Sequence, residues 1–252
     1  MIIDRVSVER KWLAWCILLF PIAATAASEI WRVTHLPSYL LLVWEDHYLE
    51  YAEVVILAVC ATLLALSGRE LGKINTPLKA LYLIGAILVA FVAIEEISYA
   101  QRILGIETPE YFQQNNIQNE ISLHNHSTYG LKGSNDVWIV SFIALTMLYL
   151  SFAWILVPKR LFTKEWWAHF LVPSWYTCTW FMLPFMWLEF APLGGVNSDP
   201  TPERSEIAET LFYIAATIFA YTRYVLVSAV TRPKPSPAPS TLDESSACQA
   251  EA

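Results

Sequence analysis

Charge is what this sequence has least of. Asp, Glu, Lys and Arg make up 15% of its 252 residues, where soluble domains carry about 25%. A soluble globule of this length would have too little polar surface to cover itself. Basic residues are scarce too: 16 Lys and Arg against 23 Asp and Glu leave a net charge of −7, with no basic face, which excludes a nucleic-acid binder. Cysteine is limited to four residues, and no two of them share a metal-type spacing such as C-x-x-C. Cys16, Cys60 and Cys178 sit inside apolar runs and read as small apolar side chains, while Cys248 sits in a polar tail. What remains is 56% hydrophobic, 14% aromatic and rich in Trp, with eleven. Disorder is excluded. A membrane protein with aromatic belts at its two interfaces is implied.

Six stretches are apolar and long enough to cross a bilayer core, which takes about 20 helical residues. They run roughly over 12–30, 49–67, 78–97, 137–157, 169–189 and 207–229. A spanning segment satisfies its own backbone hydrogen bonds, so each is expected to be a helix. Lys and Arg orient them. Arg5, Arg10, Lys11, Arg69, Lys73, Lys79, Lys159, Arg160, Lys164, Arg223, Arg232 and Lys234 fall on one side; Arg32, Arg102, Lys132 and Arg204 are left for the other. The positive-inside rule then places both termini in the cytoplasm. The expected fold is all-α: a polytopic bundle of about six transmembrane helices over residues 1–231, in a bacterial inner membrane. A structured extracytoplasmic loop covers 103–136. Residues 232–252, with four prolines between 233 and 239, read as a disordered cytoplasmic tail. Span one has a second reading: its basic start and the small-residue run Ala23-Ala24-Thr25-Ala26-Ala27-Ser28 also fit a secretory signal.

The acids are distributed differently from the bases. Sixteen of the 23, from Glu29 and Glu45 through to Glu206 and Glu209, fall at or beyond the outer span ends, with His35, His47, His124 and His126. Insertion does not explain this, because acids orient spans only weakly. In span two, Asp46, Glu50 and Glu53 share one helix face as the chain enters the membrane. A helix N-terminus attracts negative charge, which accounts for Glu45 and Asp46. Glu53, two turns in, is accounted for poorly. Span three ends Glu95-Glu96-Ile97-Ser98-Tyr99-Ala100-Gln101-Arg102, with two acids where the dipole disfavours them. Glu95, Ser98 and Arg102 share a face, at spacings of three and four, and an internal Glu95–Arg102 pair through Ser98 is expected as the structural alternative. Glu96 points about 100° away and needs its own partner. Intramembrane carboxylates of this kind are candidates for function. Glu206 and Glu209, opening span six, are sufficiently explained by the dipole.

In the long loop, Thr108-Pro109-Glu110 predicts a helix start, with Thr as N-cap and Pro in the first position, running to about Asn119. Asn116, Gln118, Glu120, His124, Asn125 and His126 follow. On an extended segment His124 and His126 point the same way and suit one metal, although an H-x-H pair is also common as surface polarity. A divalent metal, Zn²⁺ foremost, would accept Asp46, Glu120, His124 and His126 as ligands. It would explain how so many carboxylates tolerate one another, and would activate a water.

The elements Glu95 to Arg102, Thr108-Pro109-Glu110 and Asn116-x-Gln118-x-Glu120-x-x-Leu123-His124-Asn125 resemble those of a group of bacterial multi-pass membrane proteins. That group carries E-E-I-S-W-G-Q-R, T-P-E and N-x-Q-x-E-x-x-L-H-N, often after an E-D-x-x-x-E segment like Glu45-Asp46 and Glu50. Here Tyr99-Ala100 stands in place of Trp-Gly. The resemblance implies a location for the site and no chemistry. A weaker similarity, in Glu95-x-x-Ser98 and the His ligands, is to membrane hydrolases of the alkaline ceramidase and adiponectin-receptor type. Their late-span H-x-x-x-H pair is missing: spans five and six hold only His169.

The expected function is therefore a metal-assisted hydrolase or transferase acting on a lipid or lipid-linked substrate at the outer face. Glu50, Glu95, Glu96 and Ser98 are the candidate catalytic residues; Gln101, Arg102, Asn116, Gln118 and Asn125 are the candidate substrate-binding residues. The alternatives are a proton- or cation-coupled transporter component and a membrane accessory or assembly protein. Expected partners are the lipid bilayer and a further copy of the chain, and no nucleic acid.

Overall fold

The structure, a computed structural model, describes residues 11–43, 48–116, 119–123, 137–157, 168–190 and 202–231. The described residues are helical, with no strand among them. The long helices are α1 (Lys11–Thr34), α3 (Tyr48–Leu71), α4 (Thr76–Glu96), α7 (Val137–Leu156), α9 (Cys178–Phe190) and α10 (Pro202–Thr231). Short helices α2 (Leu36–Val43), α5 (Gln101–Leu104), α6 (Glu110–Asn115) and α8 (Ala168–Leu171) lie between them. Four stretches are long and apolar enough to cross a membrane: Lys11–Thr34, Leu36–Leu71, Thr76–Glu96 and Glu206–Thr231. The protein is thus a helical membrane protein by length and composition. Helix α7 adds 20 residues without a charge.

The packing fits a lipid solvent. On α4 the outward face is Leu81, Ile84, Leu88, Phe91 and Ile94, all exposed, whereas Tyr82, Ala86 and Ala93 are turned inward. A water-soluble helix does the reverse. Helix α4 begins at Asn75, whose side chain accepts the Leu78 N–H at 2.9 Å, with Pro77 beside it in the first turn. It pairs closely with α3: a Cβ added at Gly68 would lie 3.2 Å from the Leu83 side chain. Helix α10 packs along α3 and α9. One apolar cluster joins Leu71, Tyr82, Phe170 and Val227, and a second joins Leu57, Ala93 and Tyr213.

Two prolines set the remaining architecture. Pro21 lies inside α1 and has no N–H for the carbonyl four residues back, Ile17. That carbonyl accepts instead from the Trp180 indole of α9 at 2.7 Å, and its neighbour Leu18 O from the Thr179 hydroxyl at 2.6 Å. Pro173 does the same to His169. Here the helix breaks: α8 ends at Leu171, a 3₁₀ turn covers Trp175–Thr177 and α9 follows. The single helix expected over 169–189 is thus two pieces. The freed His169 carbonyl accepts from the Arg223 guanidinium. The Phe170 carbonyl accepts from the Tyr82 hydroxyl at 2.6 Å, and a second Arg223 nitrogen donates to Ser174 Oγ at 2.9 Å. Irregular backbone buried among helices persists only where protein groups satisfy it. Arg223, 6% exposed, is therefore spent on the break and does not snorkel outward from the helix end.

Candidate functional site

The expected outer-face residues separate into two groups. The first gathers around the end of α4. The helix stops at Glu96, and Ser98, Tyr99 and Ala100 then take φ of 47°, 54° and 58°. A left-handed run of L-residues costs about 1–2 kcal/mol per residue. It reverses the chain, so Glu95, Ser98 and Arg102 do not share a helix face as a continuous helix would require. Arg102 lies on α5, and its side chain falls outside what is described.

The reversal folds the loop back onto α4 through a knot of buried polar groups. Ser98 Oγ donates to Glu120 Oε2 at 2.5 Å and Ser122 Oγ to Glu120 Oε1 at 2.8 Å. Asn116 Nδ2 donates to the Ser122 carbonyl and to its hydroxyl oxygen, each at 3.0 Å. Gln101 Oε1 accepts the Ile121 N–H at 2.7 Å, while its Nε2 donates to Thr108 Oγ1. Glu95 Oε2 accepts the Leu123 N–H at 2.7 Å. The Tyr99 hydroxyl hydrogen-bonds to Glu95; desolvation first, and this contact second, push its pKa up to about 12, so it stays neutral at physiological pH. Glu95, Ser98, Gln101, Asn116, Glu120 and Ser122 are all buried.

Thr108 has a different role from the one its sequence predicts. Pro109 is the N-cap of α6 and makes no side-chain cap bond. The Thr108 hydroxyl instead donates to the Asn119 carbonyl at 2.8 Å, closing the loop. Helix α6 also ends at Asn115, short of Asn119, because Asn116 turns extended to reach Ser122.

The second group was not assembled by sequence reasoning. Glu53 of α3 is 0% exposed. Its Oε1 accepts from the Thr210 hydroxyl of α10, and its Oε2 has no hydrogen-bond partner among the described residues. Glu96 of α4 accepts from the Tyr213 hydroxyl of α10 at 2.5 Å. Glu96, Glu206 and Glu209 lie close enough to Glu53 to interact with its charge. Four carboxyls from α3, α4 and α10 thus act on one another, with no Lys or Arg among the described charges that act on Glu53. Glu206, Thr210, Tyr213 and Thr217 follow one another at i, i+4, i+7 and i+11, one stripe of α10. Lower in the same seam, Thr217 hydrogen-bonds the Ile56 carbonyl at 3.2 Å and contacts Cys60.

The signals that point here are the depth of Glu53 and the hydroxyl spacing on α10. The dipole explanation for Glu206 and Glu209 hid the second. Glu50 lies one turn before Glu53, half-buried. Asp46, Gln118, His124, Asn125 and His126 lie outside the described residues. Among the described residues, no three His, Cys, Asp or Glu side chains are grouped to hold a metal. Glu120, an expected ligand, has both oxygens occupied by serine hydroxyls. Comparison with family models, with curated proteins and with solved structures returned no match to this chain.

Proposed function

We propose that the chain is a six-span protein of the bacterial inner membrane, both termini cytoplasmic, that handles protons or small cations at the outer ends of α3, α4 and α10. One observation carries this: Glu53 is fully buried, and one of its oxygens lacks a partner among the described residues, within a group of four carboxyls. A buried carboxylate without a counter-charge is expensive and marks an ion or proton pathway by default.

The hydrogen count around Thr210 supports a proton as occupant. Its hydroxyl meets both Glu53 Oε1 and the Glu206 carbonyl, the latter at 2.8 Å. A hydroxyl hydrogen shared between two acceptors makes a weaker three-centre bond, whereas a proton on Glu53, donated to Thr210, leaves the Thr210 hydrogen wholly to the Glu206 carbonyl. Proton uptake by the full chain in vesicles holding a pH-sensitive dye tests the reading. Flux under an imposed gradient should be lost in Glu53→Gln and Glu96→Gln. Absence of flux in the unaltered protein, under proton, Na⁺ and K⁺ gradients, overturns it.

The metal-assisted hydrolase or transferase acting on a lipid remains a second reading, favoured by one contact. Leu123, whose N–H is held by Glu95, directly precedes His124 in the chain. Metal analysis of chelator-free protein tests it: about one Zn per chain, lost in His124→Ala/His126→Ala, is its expected result.

A further inference from the structure

At the ends of α3 and α10 remote from Glu53 lies a cleft of about 400 Å³ between the two helices. It is lined by Arg69, Glu70 and Lys73 from one side and Tyr224, Ser228 and Thr231 from the other, with Leu66 above them. The only acid among the described residues that line it is already neutralised. Glu70 is bridged to Lys73 at 2.6 Å and accepts from the Thr231 hydroxyl at 2.9 Å. The Arg69 guanidinium makes no hydrogen bond or ion pair among the described residues, and neither do the hydroxyls of Tyr224 and Ser228. These two stand one turn apart on α10 and face the same cleft. The wall therefore offers a net positive charge and three uncommitted donors, and no uncommitted acceptor charge.

We propose that this cleft binds a phosphate group, presented by an anionic phospholipid. A planar guanidinium beside two hydroxyls suits phosphate oxygens, which accept charge-assisted hydrogen bonds in pairs. The surroundings favour a lipid as the source. Leu66 is 38% exposed at the cleft's upper edge, and Val225 and Val230 are exposed on the adjoining face of α10. A headgroup in the cleft leaves its acyl chains along these apolar side chains. Basic pockets between helix ends are a known way for membrane proteins to hold anionic headgroups. The site is separate from the carboxyl group at the other end of the seam, and does not depend on what that group carries.

Native mass spectrometry of the full chain in mild detergent, supplied with phosphatidylglycerol or phosphatidylcholine, tests the proposal. Phosphatidylglycerol is expected to be retained at least ten-fold better. Arg69→Gln should cut that retention about ten-fold and Ser228→Ala about three-fold. Arg69→Lys keeps the charge but not the fork, and should fall between; it serves as the test if Arg69→Gln does not fold. Millimolar inorganic phosphate forms a further arm. Failure to displace the lipid assigns the site to the phospholipid, whereas full displacement assigns the same chemistry to free phosphate. Equal retention of the two lipids, or retention unchanged in both Arg69 variants, overturns the proposal.

Discussion

Glu95 and Glu96 are adjacent in the chain and belong to two polar regions of opposite character. Glu95 joins the knot, where nearly every donor meets an acceptor: Ser98 and Ser122 on Glu120, Ile121 N–H on Gln101, Leu123 N–H on Glu95 itself. Glu96 joins the carboxyl group, where Glu53 Oε2 has no hydrogen-bond partner among the described residues. Both regions are rich in the residue types that active sites use. The difference is the kind of partner: the knot's acids are held by serine hydroxyls and backbone N–H groups, and a buried network of that kind rigidifies a fold, whereas Glu53 faces three further carboxyls.

The comparison is broken most forcefully at Glu120. Glu120→Ala removes the acceptor of two buried hydroxyls and should cost on the order of 3 kcal/mol. Limited proteolysis should cut the 106–123 segment before the helices melt in a thermal scan. If the segment stays protected and only activity is lost, the knot is a site and not a clasp. Gln101→Leu ranks next, at about 2 kcal/mol, because it strands the Ile121 N–H and releases Thr108. The same digestion should show a smaller opening.

These two positions also mark how far the sequence could be read. Helix positions were largely legible, since apolar runs report length directly: the expected 78–97 is Thr76–Glu96 and the expected 207–229 lies within Pro202–Thr231. The break at Pro173 was not, because its stability rests on Arg223 and Tyr82, donors from distant parts of the chain. In the loop, Glu95, Ser98, Gln101, Asn116 and Glu120 stood out as candidates for separate catalytic, binding and metal roles, and they lie in one hydrogen-bonded network. Their mutual saturation did not show, because residue type gives the capacity to bond and not the partner. The carboxyl group was the hardest to see, since Glu53, Glu96 and Thr210 meet only in tertiary packing.

A smaller effect, in the stabilising direction, is expected at Ala100. It holds φ 58° between the two regions, a conformation that glycine adopts without a Cβ penalty. Ala100→Gly should raise stability by about 0.5–1 kcal/mol, read as a higher melting temperature with vesicle flux unchanged. A lower melting temperature would mean that the left-handed turn is not the ground state.

The smallest stability effect is the sharpest test of the contrast. Gln at position 53 has the shape of a protonated Glu: one oxygen, and one nitrogen able to donate to Thr210 while Thr210 donates to the Glu206 carbonyl. Every contact of the proton-loaded state is preserved, so Glu53→Gln should shift stability by less than about 0.5 kcal/mol while abolishing flux. Glu120→Gln in the knot should do the opposite. Both Glu120 oxygens accept, and an amide nitrogen turned toward Ser98 or Ser122 replaces an acceptor with a donor, destabilising the loop. One substitution, made in two regions some 70 residues apart in the chain, thus separates a carboxyl that needs its charge for the fold from one that holds a proton. Equal thermal shifts for the two variants would erase the distinction.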